Sequence, residues 1–217
     1  MEERLGVALG LFEDAIQAEF GLTPVLENRM FVSQIVEALN QRYSKDLSVN
    51  FERAFQGTAT FLKPDGGFWS IKEWGTPRRY VLVAEAKRQG TNALRALEGK
   101  PKQAKGNAIE RLGKNMRGID ALFLGEKITP FVCFGEGCDF APDSSILDRV
   151  ATMNGFFPLN RVAVDKLPID GDTLKPTSLF FREEPWTPQE MFEVLIAVGR
   201  RSIAYYAAEY GLPVPGT

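Results

Sequence analysis

The chain of 217 residues contains no histidine. That absence excludes Ser-His-Asp and Cys-His triads, histidine-ligated metal centres and any imidazole general base. It has two cysteines, Cys133 and Cys138, too few for a disulfide framework or a four-cysteine zinc site. Their spacing matches no thiol motif, so both are expected to be free, with Cys133 buried on an apolar strand. No apolar run of eighteen residues and nothing like a signal peptide occurs, which predicts a soluble, cytoplasmic protein in a reducing compartment with no membrane partner. No repeat, low-complexity tract or long Pro/Gly/Ser linker is present, and a single domain over residues 1–217 is expected. With 44% hydrophobic and 25% charged residues, a chain of this length buries about 70% of its unfolded surface. It needs neither disulfides nor a structural metal. Any chemistry must run on carboxylates, lysines, hydroxyls and a bound metal.

The formal net charge is only -2, but residues 78–117 hold 11 Lys/Arg against 3 Asp/Glu, which leaves +8 there and -10 elsewhere. Such asymmetry fits a face that meets a polyanion such as nucleic acid; a solvated lysine-rich loop fits it as well.

Leu5, Leu9, Phe12, Ile16 and Phe20 recur at helical spacing, and Phe31, Ile35, Val36 and Leu39 repeat it. A strand-like region over residues 47–62 carries Val49, Phe51, Phe55, Thr58 and Phe61 and breaks at Lys63-Pro64-Asp65-Gly66-Gly67. Residues 80–87, Tyr-Val-Leu-Val-Ala-Glu-Ala-Lys, make the clearest central strand. A helix is expected from Asn107 through Phe123, a buried strand over residues 130–134 and a shorter helix over residues 144–153. Strands are expected over residues 161–165 and 178–182, then a long helix after Thr187 with Pro188 at its first position, stopping near Gly211. Strands alternating with helices predict an α/β fold whose central mixed sheet, about five-stranded, is flanked by helices.

The central strand ends unusually. Its period of two puts Glu85 and Lys87 on one face, while Ala84 and Ala86 point away. A carboxylate and an ammonium are costly to place at the end of a buried strand without a use. If the preceding segment is the neighbouring strand of a hairpin, Asp65 reaches the same edge. Two carboxylates suit Mg²⁺, which keeps waters and takes a substrate phosphate as a further ligand. An adjacent lysine can orient an attacking water and stabilise charge developing on phosphoryl oxygens. The same residues also fit a plain turn aspartate and a surface ion pair.

Gly106-Asn107-Ala108-Ile109-Glu110-Arg111 supplies a second grouping. Glycine lets backbone lie close to a duplex, asparagine can bond adenine bidentately, alanine can touch a thymine methyl, and arginine offers a planar donor fork to base edges. The segment also reads as a helix start with Asn107 as N-cap and Glu110 closing a capping box. Trp69, Trp74 and Trp186 are expected to pack in the core or a dimer contact, and Glu183-Glu184 to form a solvated turn.

Taken together, these blocks resemble the EcoRI family of type II restriction endonucleases, within the PD-(D/E)XK nuclease superfamily. The match lies in Lys63-Pro64-Asp65-Gly66-Gly67, in residues 81–87 followed by Gln89-Gly90, and in residues 106–111 followed by Lys114-Asn115. A weaker block runs from Leu147-Asp148-Arg149 through Asn160, in the same order. The resemblance implies a restriction-endonuclease-like core and Mg²⁺-dependent hydrolysis of DNA phosphodiesters. Asp65 and Glu85 would bind the metal with the Ala86 carbonyl, and Lys87 would assist the attacking water. It further implies that Ala104, Gly106, Asn107, Ala108, Glu110 and Arg111 read an AATT core in double-stranded DNA, that Arg149 lies against the duplex, and that a homodimer cuts one strand per subunit. A cognate DNA methyltransferase is the implied functional partner.

The chain departs from the family in three places. It is much shorter between Phe134 and Ser145, Ile146 replaces an arginine three positions before Arg149, and Gln103 replaces a methionine. The implied outer base pair is therefore the least constrained, with GAATTC the leading full site. The competing classes are a non-catalytic DNA-binding protein of the same fold and a structure-selective repair nuclease; the intact Asp65, Glu85 and Lys87 oppose the first, and the residue 106–111 segment the second.

Overall fold

The structure, a computed structural model, describes residues 1–52, 59–89, 91–100, 107–142 and 144–216. In chain order the elements are α1 (Glu2–Phe20), β1 (Pro24–Glu27), β2 (Met30–Phe31), α2 (Val32–Leu47), β3 (Phe61–Leu62), β4 (Phe68–Ile71) and β5 (Tyr80–Arg88). There follow α3 (Thr91–Leu97), α4 (Asn107–Leu122), β6 (Phe131–Glu136), α5 (Ser145–Met153), β7 (Leu167–Ile169), β8 (Asp172–Leu174), β9 (Ser178–Arg182) and α6 (Pro188–Tyr210).

Five strands form a mixed sheet in the order β1-β4-β5-β6-β9. β1, β4 and β5 are antiparallel neighbours, whereas β5, β6 and β9 run parallel. The strands of the parallel half are nearly all apolar because helices cover both of their faces. On one face α1 packs through Leu5, Leu9, Phe12 and Ile16, and α6 through Met191, Leu195, Val198 and Tyr206, onto Leu82, Ala84, Val132 and Phe134. On the other, Ile35 of α2, Ile109, Leu112, Met116 and Ile119 of α4, and Ile146 and Val150 of α5 meet Val83, Phe131, Cys133 and Leu179. Burying each large apolar side chain contributes about 2 kcal/mol. The expected α/β fold with a mixed five-stranded sheet is observed. Among the described residues no helix is long and apolar enough to cross a membrane.

Helix ends follow local chemistry. α6 opens on Thr187, whose hydroxyl and the Glu190 carboxylate form a capping box with Pro188 in the first turn, and closes on Gly211 in the left-handed region at φ 62. Trp69, Trp74 and Trp186 are buried, and Glu183 and Glu184 are exposed in a bend.

Two expected strands are absent. In residues 47–62, Leu47 ends α2, and of the described remainder only Phe61–Leu62 pairs, as β3 against β2; residues 53–58 lie outside the described residues. The Asn40 side chain clamps both backbone groups of Phe51, at 2.7 and 2.8 Å, and so ties that stretch to α2 instead of to a strand. Residues 161–165 have strand-like side chains but make only an isolated bridge, Ile128 to Asp165. They lie along the outer edge of β9, where side chains satisfy the backbone. Ser178 Oγ accepts from Ala163 N–H and donates to its carbonyl, and the Asn160 amide pairs with both backbone groups of Phe181. An edge closed in this way offers no ladder to a further strand.

Candidate active site

The turn before β4 and the end of β5 are locked together. Gly66 N–H donates to the Ala84 carbonyl at 2.9 Å, and Ala84 N–H donates to the Gly67 carbonyl at 3.2 Å. The approach needs glycine: a Cβ on Gly66 would stand 2.7 Å from the Cβ of Ala84, and Gly67 adopts φ +70. Asp65, the residue before this pair, is thereby set against β5, and its Oδ2 accepts from Ala86 N–H at 3.2 Å. The expected hairpin between β4 and β5 is what brings it there.

Glu85 and Lys87 alternate with Ala84 and Ala86, and so project on the face of β5 that carries Val83 and faces α4. The Lys87 ammonium pairs with Glu85 Oε1, lies 3.4 Å from Asp65 Oδ2, and donates to the Ala86 carbonyl at 3.1 Å. Glu85 is 1% exposed, yet its Oε2 has no hydrogen-bond partner among the described residues. Burial pushes the Glu85 carboxyl above its ordinary range, against the opposing pull of Lys87. Burial acts to lower Lys87, but the Glu85 and Asp65 carboxylates outweigh it and hold the ammonium above its usual value. Cys133, the register partner of Glu85 on β6, is fully buried and free. Burial, with the Glu85 charge added, pushes its thiol far up, so it stays neutral beneath the site.

The donors that converge here are a half-exposed carboxylate, a buried carboxylate with one spare oxygen, and a backbone carbonyl. All are hard oxygens, and a cation, the Lys87 ammonium, already stands among them. Among the described residues no three His, Cys, Asp or Glu side chains cluster as a metal cage. The set therefore fits a small divalent ion that keeps water and takes substrate oxygens, not a closed structural site.

Of the expected DNA-reading residues, Ala104 and Gly106 lie outside the described residues, and Asn107 and Ala108 are described as backbone only. Asn107 is the first helical residue of α4, not the cap before it. Glu110 and Arg111 are exposed on the opening turns of α4, and Arg149 is exposed on α5, which packs against α4. Ile146, where the family pattern has an arginine, is 4% exposed and belongs to the core. α4 rests on the same sheet face from which Glu85 and Lys87 project. Arg88, exposed directly after Lys87, lies with Ala86 on the opposite face of β5, where it borders a cleft with Met1, Glu2 and Glu3. A cavity of about 350 Å³ bounded by Leu39, Arg42, Arg79, Glu126 and Tyr206 lies toward the opposite end of β5.

The family described as Restriction endonuclease EcoRI matches residues 26–146, more than half of the chain. The chain belongs to this family of restriction endonucleases, enzymes that hydrolyse DNA. It is similar to the type II restriction enzyme RsrI of Cereibacter sphaeroides, with 27% identity over 238 residues covering 95% of this chain and 83% of that protein. It is also similar to the type II restriction enzyme EcoRI of Escherichia coli, with 30% identity over 176 residues covering 65% of this chain and 64% of that protein. The matched span includes Asp65, Glu85, Lys87, Glu110 and Arg111; Arg149 falls just beyond it.

Proposed function

We propose that the chain is a type II site-specific deoxyribonuclease. It hydrolyses double-stranded DNA with Mg²⁺ at a palindrome with an AATT core, GAATTC being the full site proposed, and leaves 5′-phosphate ends. The observation that carries this reading is the buried Glu85 carboxylate with one unpartnered oxygen beside Asp65, the Ala86 carbonyl and Lys87, at the end of the central strand. Asp65, Glu85 and the Ala86 carbonyl would hold the cation. When bound, Mg²⁺ supplies Lewis-acid polarisation of a phosphoryl oxygen and neutralises charge. Lys87 donates to the attacking water and orients it toward phosphorus, and its ammonium stabilises the charge that grows on the phosphoryl oxygens. The water gives up a proton to solvent as it bonds to phosphorus, the bond from phosphorus to the 3′ oxygen breaks, and that oxygen takes a proton from solvent, leaving a 3′-hydroxyl and a 5′-phosphate.

Residues 1–217 act as one restriction-endonuclease-like domain in this reading. The homodimer presents two copies of the Ala104 to Arg111 segment and of Arg149 to the two half-sites, since a palindrome is read by a two-fold pair. A cognate methyltransferase protects the host DNA. The test is to incubate the protein with unmodified phage DNA and Mg²⁺, with an EDTA control, and to sequence the fragment ends. Discrete ends around AATT support the reading. AATT-specific binding without cleavage would transfer it to a non-catalytic binder.

A further inference from the structure

The Lys87 ammonium touches three oxygens: Glu85 Oε1, the Ala86 carbonyl at 3.1 Å and Asp65 Oδ2 at 3.4 Å. These belong to the same three groups that the proposed function gives to the divalent cation. We propose that Lys87 is a tethered stand-in for that cation in the DNA-free protein, and that the divalent ion loads fully only when a DNA phosphodiester draws the ammonium out of the ligand cluster. The inference rests on the metal site proposed above and adds to it an order of assembly: metal loading and substrate binding are coupled.

Charge and geometry lead there. A carboxylate as buried as Glu85, with Asp65 in reach of the same lysine, requires a nearby cation. Lysine supplies it as a compact charge with three donors on a flexible stem, and its side chain is 16% exposed, which leaves a way out toward solvent or substrate. With Lys87 alone the cluster carries a net charge of -1. With Lys87 retained and a divalent ion added it would carry +1, unfavourable in a partly buried place. A phosphodiester brings the total to zero, and its non-bridging oxygens offer the ammonium new acceptors. DNA thus removes both obstacles to the metal, the occupied oxygens and the excess positive charge. The coupling is reciprocal, so the metal tightens DNA binding by the same factor.

The test measures Mn²⁺ binding by titration calorimetry, not cleavage. The wild-type protein and Lys87→Met are compared without DNA and with an AATT-centred duplex whose scissile linkages carry a bridging methylene, which keeps the phosphate charge and blocks hydrolysis. Without DNA, Lys87→Met is expected to bind Mn²⁺ at least about tenfold more tightly than wild type, since a unit positive charge a few ångströms from the ion has been removed. The duplex should tighten Mn²⁺ binding to wild type by about tenfold or more, and to the variant by clearly less. Lys87→Gln, a neutral side chain of different shape, should repeat the gain. Equal or weaker DNA-free binding in both variants, or the same tightening by DNA in all three proteins, would overturn the inference. The double variant Asp65→Asn/Glu85→Gln separates the two levels of the argument. Loss of Mn²⁺ binding there upholds the metal site whatever Lys87 does; binding that survives overturns the site and the inference with it.

Discussion

A glutamate is buried near each end of β5, and the two are handled in opposite ways. Toward the start of the strand, Glu126 is 7% exposed. Its Oε1 accepts from Arg42 at 3.3 Å and Arg79 at 3.1 Å, and its Oε2 from the hydroxyls of Tyr205 at 3.0 Å and Tyr210 at 2.8 Å. At the other end, Glu85 is more deeply buried, has one lysine on Oε1 and, among the described residues, no hydrogen-bond partner on Oε2. A carboxylate with both oxygens filled by donors from several elements is a brace, here joining α2, the residue before β5 and α6 to the loop after α4. One left with a spare oxygen beside a second carboxylate fits the proposed seat for a cation that the protein alone does not provide. Burial of charge is common to both; satisfaction divides them.

Removing each glutamate should therefore give opposite phenotypes. The largest effect on stability is expected from Glu126→Ala, which strands the Arg79 guanidinium, whose side chain is only 15% exposed, and removes the acceptor shared by the Tyr205 and Tyr210 hydroxyls. Urea unfolding in EDTA should lose about 3 kcal/mol, while cleavage per folded molecule persists. A loss below about 1 kcal/mol would mean that Glu126 is not a brace. Next is Arg111→Ala. Unlike Arg79, Arg111 is exposed and has no carboxylate partner among the described residues. Its loss should leave unfolding unchanged and weaken binding to an AATT-centred duplex by about 1–3 kcal/mol, with far less effect on random DNA. Equal losses on both duplexes would contradict base reading by this side chain.

Smaller again is the stability change in Glu85→Gln. Because burial already disfavours the charged form, a neutral amide should unfold in EDTA within about 1 kcal/mol of wild type, or be more stable. A loss like that of Glu126→Ala would erase the distinction between the two ends. The smallest effect belongs to a pair on the surface. Hydrogen bonds from Arg182, then from Thr187, hold the Glu190 carboxyl down at about 2, against an ordinary 4.5. A lowered acid pKa stabilises the fold above the ordinary value and loses that contribution as pH falls toward about 2. Glu190→Gln should flatten the acid-unfolding curve in that window alone, and only slightly, because the Glu190 side chain is 40% exposed.

The seat was legible in the sequence and the brace was not. Asp65 before paired glycines, and Glu85 two residues before Lys87 at a strand's end, are local patterns whose meeting needs only a hairpin. The partners of Glu126 stand 84, 47, 79 and 84 residues from it, and nothing periodic announces them. The helices α1, α4, α5 and α6 followed from apolar spacing because each lays one stripe on the sheet. Residues 161–165 misled, since their apolar pattern is real but β9 holds Ala163 through the Ser178 side chain, while the Asn160 side chain just before them occupies the Phe181 backbone groups. The β7–β8 hairpin was overlooked although Asp170-Gly171, both at positive φ, is a strong two-residue turn signal. The DNA-reading segment stayed a matter of family resemblance: of the residues expected to read bases in it, only Glu110 and Arg111 have described side chains, both exposed, while Ile109 just before them turns into the core.

The central claim is that the end of β5 is where DNA is cut. It is tested most directly by single-turnover cleavage of an AATT-centred duplex in Mg²⁺ by Glu85→Gln, with binding of the same duplex measured in parallel. The account predicts cleavage reduced by about a thousandfold or more, with site-specific binding retained. Cleavage at a wild-type rate by a folded Glu85→Gln protein would contradict it.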